Sequence, residues 1–185
     1  MADQGSEGLL SPFLRRRRLN AVSPFLKGRV LDVGCGTGAL AESLSPEHYC
    51  GVEIDPLSLR IACDSHQGYR FLNTLPEENE KFDTVVALAV IEHVASPERF
   101  LEGISRNLKN DESARVVVTT PHPAMDWIHS CGASLGLFSK HADEEHEELL
   151  DRDRLEAAGL KAGLCLVAYR RFLVGANQLA LFSQG

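Results

Sequence analysis

The sequence predicts an α/β domain built on a doubly wound sheet, and three stretches predict it. Arg29 to Leu40 (RVLDVGCGTGAL) is a short apolar strand that breaks into a glycine loop. Phe82 to Val90 (FDTVVALAV) is a near-continuous apolar run, the pattern of a strand covered on both faces. Leu164 to Phe172 and Asn177 to Phe182 are two strands joined by a hairpin-length turn at Gly175, so they pair antiparallel. At 185 residues the chain is one domain with room for a sizeable core.

The first stretch organises the rest. Val30, Leu31 and Val33 are apolar, Gly34, Gly36 and Gly38 follow at alternate positions, and Ala39, Leu40, Ala41, Glu42 and Leu44 predict a helix after them. A buried strand opening through glycines into a helix is a nucleotide-cradling element, because glycine turns tightly and leaves no Cβ between backbone and ligand. Two cofactor classes use such a loop. Gly34, Gly36, Ala39 and Glu53 satisfy the dinucleotide fingerprint formally. Against an NAD site stand Asp32 within the strand, a third glycine one place early at Gly38, and a chain short for a separate substrate domain. Asp32 suits a cofactor that carries an ammonium and a sulfonium, S-adenosylmethionine, whereas it would repel a pyrophosphate.

Val30 to Gly38 resembles motif I of the class I S-adenosylmethionine-dependent methyltransferases, close to V-L-D-x-G-C-G-T-G. The resemblance implies a Rossmann-like fold with seven strands in the order 3-2-1-4-5-7-6, strand 7 antiparallel. It also implies a cofactor site on Asp32, Gly34, Cys35, Gly36 and Gly38.

Composition excludes several alternatives. The net charge of −7 and pI near 5.5 create no global field for nucleic acid. No apolar run approaches the roughly 18 residues of a membrane span, and no charged-then-apolar leader opens the chain. Cys35, Cys50, Cys63, Cys131 and Cys165 are odd in number, scattered and without a CxxC pair, so they read as reduced thiols of a cytoplasmic protein.

In chain order, residues 1 to about 8 are polar and read as frayed, and Leu9 to Leu26 is helical with interruptions near Pro12 and Pro24. Residues 1–28 therefore form an N-terminal tail and helix, and 29–185 the methyltransferase domain. Arg15 to Arg18 point around the whole of that helix, which favours a solvated face over a phosphate or acidic-partner contact. Tyr49 to Ile54 is the second strand, and Glu53 at its end is the candidate for the ribose hydroxyls, with Ile54 beside it and Asp55 in reserve. Pro56 to Cys63 is a helix. Tyr69 to Asn73 is the third strand. The family usually has an aspartate just after it for the adenine amino group; here Asn73 offers an amide oxygen instead. Glu77 to Lys81 reads as a solvated turn.

FDTVVALAVIEHV resembles the fourth-strand motif of the family's small-molecule branch, which implies a backbone contact at Ala89 with the methionine end of the cofactor. Glu92 and His93 follow; His93 either faces substrate as a base or orients its loop through a backbone bond. The N/D-P-P-Y/F motif of enzymes acting on nucleobase amines is absent after Val90, which lowers nucleic acid as a substrate. Ser96 and Pro97 start a helix over Glu98 to Leu108, and Arg115 to Thr120 is the fifth strand, stopped by Pro121-His122-Pro123.

Residues 121–150 lose periodicity and hold Trp127, His129, Phe138, His141, His146 and the acidic run Asp143 to Glu148; they read as a lid or substrate wall. His141 and His146, five apart, sit roughly 140° off one helical face, and H-E-x-x-H is absent, so no metal is expected. Asp151 to Ala158 is a capped helix ending at Gly159.

The expected reaction is methyl transfer to an oxygen of a small-molecule or sugar-like acceptor by in-line displacement. His122 and His93 are the candidate bases, because strand ends fix their positions. The alternatives are a small NAD-binding oxidoreductase and a non-catalytic partner subunit of the same fold.

Overall fold

The computed structural model describes residues 11–123 and 150–185. Its strands are β1 (Val30–Val33), β2 (Tyr49–Val52), β3 (Arg70–Leu72), β4 (Thr84–Leu88), β5 (Arg115–Pro121), β6 (Leu164–Phe172) and β7 (Asn177–Gln184). Its helices are α1 (Ser11–Val22), α2 (Pro56–Ser65), α3 (Pro97–Ser105) and α4 (Arg152–Lys161). The strands form one sheet in the order β3-β2-β1-β4-β5-β7-β6. The first five pair in parallel, and β7 runs antiparallel to both β5 and β6. This is the sheet that the motif resemblance implies.

Alternate residues of a strand face opposite sides of a sheet, so the central strands feed two cores. Leu31, Val33, Val85, Ala87, Val116 and Val118 pack on one side with Leu101 and Ile104 of α3 and Leu155 of α4. Val30, Val86, Val117, Leu179 and Leu181 pack on the other with Ala21 and Val22 of α1. Burial on both sides explains why β1 and β4 read as apolar runs.

Side-chain caps place the helices. Asp55 accepts the Ser58 N–H at 2.8 Å and Pro56 opens α2, so the reserve acidic candidate serves as a cap. Ser96 accepts the Arg99 N–H at the start of α3, and Asp151 the Arg154 N–H at the start of α4.

Two expectations fail for physical reasons. The helix expected from Ala39 is a single 3-10 turn, Ala41–Ser43. Seven residues separate Gly38 from Pro46, and Pro46 forces Ser45 into an extended conformation (φ −83°, ψ 153°), which ends any helix there. The second failure is at Gly159, which does not end its helix: α4 runs on to Lys161. A Cβ at Gly159 would lie 2.5 Å from Phe182 Cε1, so the glycine serves close packing of α4 on β7.

The expected lid falls mostly on residues 124–149, with Trp127, His129, His141, His146 and the acidic run, and lies outside the described residues.

Candidate functional site

Loops at the carboxyl ends of β3, β2, β1 and β4 bring most of the sequence candidates together, beside the point where the strand order reverses. Asp32 lies in the middle of β1, paired with Gly51 of β2 and Val86 of β4. Its side chain is 2% exposed, and Tyr49 Oη donates to Asp32 Oδ2 at 2.9 Å. Burial pushes the carboxyl up to about 7; the Tyr49 bond opposes that rise and the charge of Glu53 adds to it.

The glycine loop follows. The N–H groups of Gly34 and Cys35 both donate to Val52 O, at 2.8 and 3.0 Å, and Gly38 N–H donates to Cys35 O. Gly36 N–H donates to Glu53 Oε2 at 2.8 Å, while Asp55 N–H donates to Glu53 Oε1 at 2.8 Å. One carboxylate thus ties the loop after β1 to the loop after β2. Gly36 adopts φ +56°, and a Cβ there would meet no protein atom within 4 Å, so the backbone is bare on its open side. A Cβ at Gly34 would lie 2.4 Å from Val90 Cγ2, because the chain after β4 packs onto the first glycine. Ala89 makes that approach with φ +56°, rare for a residue with a Cβ, and its N–H donates to Thr119 O at 2.8 Å.

Asn73 directly follows β3, level with Glu53 through the Val52–Leu72 pair, and is exposed. Ile54 is 84% exposed beside Glu53. Cys35 is buried, and burial together with the charges of Asp32 and Glu53 pushes its thiol up, which disfavours the thiolate.

The two histidines lie at the ends of neighbouring strands. His93 closes the 3-10 turn Ile91–His93 after β4 and is exposed. His122 follows β5, and its N–H donates to Ala176 O at 3.0 Å. Burial and then the Arg171 charge hold the His122 imidazole below its usual range.

Sequence reasoning missed two residues. Arg18 turns inward from the basic run, and its Nε donates to Asn177 Oδ1 at 3.0 Å. Glu92 is 7% exposed, its Oε2 has no hydrogen-bond partner among the described residues, and burial raises its pKa. Each feels the other's charge. In sequence, Arg18 differs from its three arginine neighbours only by its turn of the helix, and Glu92 only by the apolar Ile91 and Val90 before it.

These groups discriminate between ligands. With the N–H groups of Gly34, Cys35, Gly36 and Gly38 all committed internally, a pyrophosphate would meet two carboxylates and none of those donors. The loop also leads into no α-helix whose amino end could hold an anion. A ligand with an ammonium and a sulfonium fits the carboxylates. Each Glu53 oxygen spends one lone pair on backbone, which leaves acceptor capacity for a pair of hydroxyls.

A sheet in this order with an acidic glycine loop defines the class I methyltransferase fold. A family model described as "Methyltransferase domain" matches residues 9–169, and the chain belongs to that family. It is 28% identical over 159 residues to the ubiquinone biosynthesis O-methyltransferase of Brucella anthropi, covering 80% of this chain and 64% of that one. It is 35% identical over 118 residues to the human mitochondrial ubiquinone biosynthesis O-methyltransferase, covering 53% and 32%. The chain therefore spans less than two thirds of the length of these relatives. An S-adenosylmethionine-dependent methyltransferase from Thermotoga maritima has a similar fold, with TM-score 0.73 and 21% identity over 96% of this chain and 92% of that one. The magnesium protoporphyrin IX methyltransferase of Synechocystis, solved with S-adenosylhomocysteine bound, has TM-score 0.68 and 15% identity over 98% and 90%. Among the described residues no helix is long and apolar enough to cross a membrane.

Proposed function

We propose that the chain transfers a methyl group from S-adenosylmethionine to an oxygen of a small-molecule acceptor. The observation that carries this reading is the pair Asp32 and Glu53 around a glycine loop whose Gly36 N–H already belongs to Glu53. The O-methyltransferase names of the sequence relatives support oxygen as the accepting atom.

In this reading, Asp32 compensates positive charge beneath the loop. Gly34 to Gly38, with the thiol of Cys35 turned inward, present backbone to the ligand. Glu53 accepts from the ribose hydroxyls, Ile54 covers the adenine, and Asn73 accepts from its amino group. The Ala89 backbone faces the methionine end. When bound, the cofactor would supply an electrophilic methyl on a sulfonium, with a neutral thioether as the leaving group. His122 takes the proton that the acceptor hydroxyl loses, a task suited to an imidazole whose pKa burial and the Arg171 charge lower. His93 is the second candidate for that proton.

Calorimetric titration with S-adenosylhomocysteine, with NAD in parallel, tests the proposal. Saturable binding of the first alone supports it, and binding of NAD alone refutes it.

A further inference from the structure

A pocket of about 220 Å³ opens between α1 and the end of β6, lined by Arg17, Asn20, Ala21, Arg170, Arg171 and Phe172. Three guanidinium groups share it. Arg170 Nη2 donates to Ala21 O, and its Cζ lies 5.4 Å from the centre of the Phe25 ring, which fixes the group where α1 meets β6. Arg171 Nε and Nη2 donate to Gly175 O at 3.2 and 2.8 Å, anchoring that side chain at the β6–β7 turn. A guanidinium has five N–H donors, so both retain several for a ligand. Arg17 is exposed, and among the described residues no hydrogen bond or ion pair engages it. Among the same residues no carboxylate pairs with any of the three.

Unbalanced positive charge in a chain of net charge −7 is a local feature. Planar guanidinium forks match phosphate and carboxylate better than any other ligand chemistry. The volume is several times the ~30 Å³ that one water occupies, enough for an oxyanion and a few atoms of the molecule bearing it.

The pocket lies at the carboxyl end of β6, level with the carboxyl end of β5. Phe172 pairs with Asn177, and Asn177 with Pro121, directly before His122. Arg171 is near enough to His122 for its charge to lower that imidazole's pKa.

We infer that the methyl acceptor carries an oxyanion, a phosphate or a carboxylate, and that Arg17, Arg170 and Arg171 hold it while the hydroxyl to be methylated faces His122. The inference rests on the methyl-transfer reading above, whose cofactor loop lies on the other side of β4.

Inorganic phosphate and benzoate, titrated at constant ionic strength into protein already saturated with S-adenosylhomocysteine, are the probes. At least one is expected to bind saturably at one site per chain without displacing the nucleoside, and the tighter of the two names the oxyanion. Arg17→Glu, on an exposed helix face, and Arg171→Gln are each expected to weaken it by about tenfold or more. S-adenosylhomocysteine affinity should stay within about twofold in both variants, which also reports that they are folded. No binding of either anion, undiminished binding in both variants, or displacement of the nucleoside overturns the inference. Failure of the unmodified chain to bind S-adenosylhomocysteine instead refutes the methyl-transfer reading.

Discussion

Tyr49 Oη donates to Asp32 Oδ2 at 2.9 Å between the paired strands β2 and β1, and both side chains are buried. Among the described residues this is the one hydrogen bond to the Asp32 side chain, and it only partly opposes the rise that burial imposes. Asp32 therefore takes up a proton more readily in the folded chain, at about 7, than at its ordinary 3.8. A group raised in this way contributes stability in full below pH 3.8, and that contribution is lost as pH climbs to about 7. Glu80, held low by its hydrogen bond from Arg70, has the opposite slope, but only around and below its ordinary 4.5. His122, held below its ordinary 6.5, opposes the Asp32 slope below pH 6.5, so urea midpoints of the ligand-free chain should fall most clearly between pH 6.5 and 7. Asp32→Asn should flatten that slope without abolishing it, because buried Glu92 contributes in the same sense. Affinity for S-adenosylmethionine should move oppositely, rising with pH through about 7 as Asp32 ionises.

Glu53 accepts one backbone N–H from each of two loops. Hydrogen bonds to a charged group contribute about 1.5–3 kcal/mol each. Glu53→Ala should lower the thermal midpoint and weaken S-adenosylhomocysteine by roughly 10–100-fold. Glu53→Gln, which keeps one acceptor oxygen, should fall between the two in calorimetry. Equal affinity in all three proteins would remove Glu53 from the site.

Ala89 holds φ +56° at the turn after β4. Such a conformation costs a residue with a Cβ about 1 kcal/mol or more relative to glycine. Ala89→Gly should raise the urea midpoint, and Ala89→Val, branched at Cβ, should lower it. A rise in the glycine variant with weakened cofactor binding would mark the strain as functional.

His122 is held below its usual 6.5 by burial and by Arg171. With an acceptor that turns over, the acid limb of the kcat/KM profile should lie below pH 6.5, and Arg171→Gln should move it upward. His122→Asn should reduce kcat by about 10²–10⁴-fold while leaving S-adenosylhomocysteine affinity intact. A limb that persists unchanged in His122→Asn would transfer the role to His93.

The sheet and much of the candidate cofactor site were legible because their signals are local. Apolar runs set β1 and β4, and glycine spacing set the loop. Acids and amides at strand ends follow from the strands themselves. Failures arose where distant residues decide. Gly159 reads as a helix stop until Phe182 packs against it. Residues 39–44 have helical composition, yet Pro46 and the start of β2 leave no length for a helix. Arg18 and Glu92 become neighbours only when α1 crosses the sheet beside the turn after β4, and helical or strand periodicity contains no trace of that meeting.

The double tie made by Glu53 has a thermodynamic consequence. A flexible loop that orders around its ligand loses conformational entropy at the moment of association. Here the Gly36 backbone is already immobilised by a side chain from the loop after β2, so that loss falls on folding instead. Heat capacity and entropy of association measured on this chain should then report mainly on desolvation of the ligand and the cleft, with little contribution from loop ordering.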